Sequence, residues 1–163
     1  MQEWFNWLVS KTSVSKGTEG SNPSPSAMEY HTYMQETLFT KIIKGEIPSY
    51  KIYEDEKVFA FLDIDPVAEG HVLVVPKSQI EFVWDLDASD YEALTLATKK
   101  IALHLREKTG RMYVSERIVG TDVPHAHVHL IPFNDPAELH REPGDIREPD
   151  HAALAKLVES LRM

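Results

Sequence analysis

The chain has 163 residues, of which 42% are hydrophobic and 26% charged, as expected for a single globular domain and not for wholesale disorder. It contains no cysteine, which excludes disulfides, cysteine-ligated zinc, iron–sulfur clusters and thiol nucleophiles. A net charge of −9 argues against a nucleic-acid backbone or an anionic membrane as partner and leaves room only for a local phosphate pocket.

Residues 1–33 read as an extension outside the fold. The opening MQEWFNWLVSK carries Glu3 in place of a basic cluster and breaks its apolar stretch at Asn6, a poor secretory signal, so a cytoplasmic protein is expected. Trp4, Phe5, Trp7 and Leu8 would form either a short docking helix or no structure. From Ser10 to Ala27 the chain is rich in Ser, Thr, Gly and Pro and lacks any period that would bury a face. GSNPS is also what the T-arm of a transfer-RNA gene yields in one frame, which would move the start to Met28 or Met34.

TLFTKIIKGEIPS spaces Leu38, Ile42 and Ile43 as a short helix stopped by Gly45 and Pro48. YKIYEDEKVFAFLDI reads as a hairpin about the charged turn Glu54 to Lys57. HVLVVPK after Gly70 is apolar on both faces, as in a central strand. The longest helix runs from Asp87 to about Lys108, with Tyr91, Leu94, Ala97, Ile101 and Leu105 as its buried stripe and Gly110 as its stop. RMYVSE and HAHVHLIPF are further strands, and the tail 136–163 ends in a short amphipathic helix, DHAALAKLVESLRM. The fold class expected is α+β, a mostly antiparallel sheet of about five strands with one long helix and short flanking helices.

The informative segment is His125-Ala126-His127-Val128-His129. Strand side chains alternate, so the three imidazoles share one face. Burying three such rings for packing alone is costly, because each ring nitrogen wants a partner. His31, His104, His140 and His151 read as ordinary surface or core histidines. Periodicity leaves two chemistries open for the triplet. One is a metal site, with Asp122 completing the set. The other is a nucleophilic site for a phosphate.

The pattern His-φ-His-φ-His-φ-φ resembles the signature of the histidine-triad (HIT) family of nucleotide hydrolases and transferases. LFTKIIKGEIPS, FLDIDPVAEGHVLVVPK and GTDVPHAHVHLIP stand in that family's order over residues 34–135. The resemblance is strongest to the branch of Hint-type nucleoside phosphoramidases and dinucleoside polyphosphate hydrolases. It implies that His127 attacks the α-phosphorus of a purine nucleotide, forming a nucleotidyl-histidine that water cleaves. A neutral imidazole, with an unperturbed pKa near ~6.5, is nucleophilic at neutral pH. It also implies that His125 and His129 donate to phosphate oxygens and that the backbone and His71 orient the nucleophile. Asp63 would take the ribose hydroxyls, and Phe39, Ile42, Phe61 and Ile64 would line the base slot. A homodimer is implied, and no cofactor beyond a divalent ion carried by a polyphosphate substrate.

The departures are specific. Where many members carry Cys-x-x-Cys for a structural zinc, this chain has Thr37 and Thr40, so no metal is expected. Ser115 stands near the usual phosphate-positioning asparagine, with Thr121 as a second donor. Asp122 replaces a residue that is often Ser, Thr or Glu; it is acceptable beside a phosphate if it holds a proton for the leaving group, or if it faces an ammonium or metal brought by the substrate. The remaining alternatives are a nucleotide-binding sensor without turnover and a metal enzyme using His125, His127 and His129 as ligands.

Overall fold

A computed structural model describes residues 36–140 and 148–163. The extension at 1–33, with its three readings, lies outside the described residues. In chain order the elements are α1 (Leu38–Ile43), β1 (Lys51–Glu54), β2 (Val58–Leu62), β3 (Val72–Pro76), a 3-10 turn (Val83–Asp85), α2 (Ala88–Thr109), β4 (Tyr113–Arg117), β5 (Val128–Phe133), a second 3-10 turn (Pro136–Leu139) and α3 (His151–Leu161). The strands form one five-stranded sheet in the order β1-β2-β3-β5-β4, antiparallel throughout, as the α+β reading expects.

Local chemistry sets the boundaries. The Asp55 carboxylate accepts from the backbone N–H groups of Lys57 and Val58 at 2.9 and 2.7 Å, closing the β1–β2 turn. Asp87 caps α2 by accepting from Asp90 N, and Gly110 ends the helix in the left-handed region at φ 67°. Asp150 caps α3 in the same way, accepting from Ala153 N.

One sheet face packs on α2 and α3. Val58, Ala60, Leu62, Val72, Val74, Val128 and Leu130 meet Leu94, Ala97, Ile101, Leu105, Leu154 and Val158 in a continuous core. Tyr91 departs from the expected stripe. It is 42% exposed, with its ring beside that of Trp84, while Val83 and Leu86 of the preceding turn belong to the core. The opposite face carries the histidines. Because antiparallel partners project to the same side, one register row reads Phe61, Leu73, His129, Arg117 across β2, β3, β5 and β4.

The last strand is shorter than its sequence suggests. It begins at Val128, and the residues before it leave the ladder: Ala126 N donates to Ile80 O and His125 N to Val123 O. Among the described residues, no helix is long and apolar enough to cross a membrane.

Candidate active site

The three histidines of the triplet sit in different hydrogen-bonding situations, and their partners assign their protons. His125 is fully buried. Its Nε2 lies 2.8 Å from the Pro76 carbonyl, which can only accept, so Nε2 carries the proton. Its Nδ1 therefore accepts, from Thr37 Oγ1 at 2.8 Å. Thr37 is also the N-cap of α1, accepting from Thr40 N. The Thr40 hydroxyl donates to Gln79 Oε1 at 2.6 Å, and Thr37 N donates to the same oxygen at 3.2 Å. His125 is thus the end of a closed chain running Gln79, Thr40, Thr37, His125, Pro76. Both of its ring nitrogens are committed inside the protein. The expected donation from His125 to a phosphate oxygen does not fit this arrangement.

His127 Nδ1 is 2.7 Å from the carbonyl oxygen of His125. Facing an acceptor, Nδ1 holds the proton, and Nε2 keeps the lone pair. The ring is 4% exposed and packs edge-on against Phe39 at 5.3 Å between centroids. Phe39 meets Phe61 and His125 in the same way, at 5.5 and 5.8 Å. With the buried Ile42 on the same helix, Phe39 and Phe61 form an apolar wall beside His127. Ile64 does not join it. It packs against the core on the helix side and lines a cavity with Leu154 and Leu157.

His129 follows 4.9 Å from His127, and its Nδ1 is 3.0 Å from His71 Nε2. His71 Nδ1 accepts from Val67 N at 3.2 Å, so the proton of a neutral His71 sits on Nε2 and points at His129. His129 then carries its own proton on Nε2, where no described protein group takes it. Burial pushes the His71 pKa down and, helped by the neighbouring His71 and His127, pushes that of His129 down to about 4. Burial lowers His125 as well. His71 is therefore bonded to His129 and not to His127, whose Nδ1 is held by the backbone; this differs from the contact implied for His71.

The loop between β2 and β3 brings Asp63 to this pair. Asp63 N donates to His71 O at 2.9 Å, and Gly70, at φ 84°, makes the turn that permits the closure. Asp63 Oδ2 stands 3.3 Å from His71 Nδ1, while Oδ1 accepts from Asp65 N. Asp63, His71 and His129 are the group of potential metal donors that converges among the described residues. Two of them already share a hydrogen bond, which an ion would have to break. The alternative set of His125, His127 and His129 does not converge, because His125 is spoken for on both sides.

Thr121 and Asp122 lie on the exposed loop before the triad, and the Asp122 carboxylate acts electrostatically on His129. Ser115 sits opposite Ile131, two residues along β4 from the row of His129. The residue facing His129 is Arg117, which sequence reasoning passed over, as it did Gln79. Thr37 and Thr40 were legible only as missing cysteines. Their spacing along α1, which puts both hydroxyls on one side, was the available signal.

The model of the HIT domain matches residues 44–135. The adenosine 5'-monophosphoramidase HNT1 of Saccharomyces cerevisiae is 36% identical over 126 residues, covering 76% of this chain and 79% of the yeast protein. Its namesake from Candida albicans is 34% identical over 134 residues, covering 77% of this chain and 88% of that protein. The crystal structure of a Hit-like protein from Bartonella henselae superposes with a TM-score of 0.70 at 30% identity, over 80% of this chain and 96% of that one. The ordered histidines and their match over more than half of the sequence place this chain in the HIT-domain family.

Proposed function

We propose that this protein is a nucleotide hydrolase that cleaves purine nucleoside phosphoramidates or related conjugates at the α-phosphate through a covalent nucleotidyl-histidine. The observation that carries the reading is the hydrogen bond from His127 Nδ1 to the His125 carbonyl, which leaves a lone pair on a buried Nε2. Similarity to the two yeast monophosphoramidases supports the substrate class.

In the first step Nε2 attacks the α-phosphorus, the bond to the leaving nitrogen breaks, and its electron pair departs with the amine, which takes up a proton. In the second step water attacks the same phosphorus, the P–Nε2 bond breaks, and the pair returns to His127 as the nucleoside monophosphate leaves. His129 Nε2–H donates to the phosphoryl oxygens, where charge develops. Phe39, Ile42 and Phe61 receive the base, and Asp63 the ribose hydroxyls. Asp122 is assigned the proton for the amine; an Asp122→Asn variant with an unaltered rate and pH profile would remove it from that role. The reaction needs no cofactor, so turnover should survive exhaustive chelation.

Dinucleoside polyphosphate hydrolysis by the same residues is the second reading, favoured by Arg117 beside His129. We also assign the groove between α2 and the edge strand β4 to a second copy of the chain. Leu103, Met112 and Tyr113 are exposed there, and β4 presents an unpaired edge. Light scattering should give a dimer that Leu103→Glu weakens.

The test of the main reading is trapping. A slow substrate should leave a nucleotide on His127, found by peptide mass spectrometry, and His127→Ala should abolish it. Modification elsewhere, or turnover without His127, overturns the proposal.

A further inference from the structure

Across the histidine face of the sheet, one row runs Phe61, Leu73, His129, Arg117. Phe61 belongs to the apolar wall and His129 to the phosphate-facing pair. A nucleotide lying over Phe61 with its α-phosphate between His127 and His129 points whatever is attached to that phosphate toward β4. The side chain next in line is a guanidinium. It is half-buried and held in place by neutral groups: Nε donates to Ser115 Oγ at 3.3 Å and Nη2 to the Leu139 carbonyl at 3.4 Å. Its charge also reaches the His71–His129 pair, where it disfavours protonation of His71.

We propose that Arg117 is a specificity residue on the leaving-group side, meeting the oxygens of an anionic leaving group and so assisting cleavage of phosphoanhydrides more than that of phosphoramidates. The inference rests on the covalent reading of His127. Its chemical basis is the difference between the two departures. In a phosphoanhydride, His127 Nε2 attacks the α-phosphorus, the bridging P–O bond breaks, and the electron pair leaves on a nucleoside polyphosphate as added negative charge. No proton is required, and a fixed cation stabilises the product as it forms. In a phosphoramidate the amine must acquire a proton, which a guanidinium, never deprotonated in proteins, does not supply. Arg117 therefore helps only the first reaction directly. Hydrogen bonds to Ser115 and Leu139 pre-orient its fork.

The experiment compares wild type, Arg117→Gln and Arg117→Lys, as full chains, on diadenosine tetraphosphate with magnesium and on adenosine 5'-phosphoramidate. Arg117→Gln should lower kcat/KM for the tetraphosphate at least about ten times more than for the phosphoramidate. Arg117→Lys should recover part of that difference, and added salt should shrink it. Equal losses on both substrates, or no loss on either, overturn the role of Arg117 while His127 labelling persists. If wild type neither turns over nor becomes labelled by either substrate, the covalent reading fails and this inference falls with it.

Discussion

His125 and His129 occupy equivalent places in one motif, four residues apart on the same face, and the protein uses them in opposite ways. His125 is closed off, with Thr37 on one nitrogen and the Pro76 carbonyl on the other. His129 is supported on one nitrogen by His71, and its other nitrogen makes no hydrogen bond to the described protein groups. The first is held as structure, and its main-chain oxygen in turn holds His127. The second keeps a nitrogen for the role proposed for it. An imidazole becomes catalytic not by belonging to the motif but by which of its nitrogens the surrounding fold leaves uncommitted.

The largest expected effect tests the residue between them. His127→Ala should lower kcat by at least about 10⁴-fold with unchanged secondary structure by circular dichroism, as for loss of a covalent nucleophile. The comparison itself is next. His129→Ala should cost roughly 10²–10³ in kcat, the size seen on losing one oxyanion donor, with little change in denaturant midpoint. His125→Ala should do the reverse in emphasis, lowering urea stability more than any other single triad substitution. If both variants lose rate equally at equal stability, the distinction between the two rings is wrong.

Thr37→Val sharpens the point. It removes the donor to a buried imidazole nitrogen and the N-cap of α1 together, so unfolding free energy should fall by about 1–3 kcal/mol in urea titrations, with Thr37→Ser close to wild type. The last effect is on pH. His129 titrates near 4 in the folded chain against 6.5 for an ordinary histidine, so the unfolded chain binds more protons between those values. The stability this ring contributes is complete above 6.5 and is lost as pH falls toward 4, and His129→Asn should flatten part of that slope in thermal melts.

Much of the fold was legible because it depends on local pattern. The α2 stripe, its Asp87 cap and its Gly110 stop follow from spacing and turn chemistry, and the apolar run after Gly70 marked the central strand. Tyr91 was misplaced because periodicity says which residues share a helix face and not how far the sheet extends beneath it. The resemblance grouped Phe39 and Phe61, and they do pack together beside His127. It grouped Ile64 with them as well, but Ile64 continues the alternation of Val58, Ala60 and Leu62 and packs on the helix side.

The sequence by itself separated the three imidazoles from Ala126, Val128 and Leu130, which enter the core, through a two-residue alternation. It also determined which family they belong to, through motifs in register. What it could not contain were the pairings across 88, 58 and 49 residues that join Thr37 to His125, His71 to His129 and His125 to Pro76. Those contacts decide where each proton sits. They exist only once the strands are in register and α1 is seated, because a hydrogen bond selects a tautomer only when both partners are held at bonding distance.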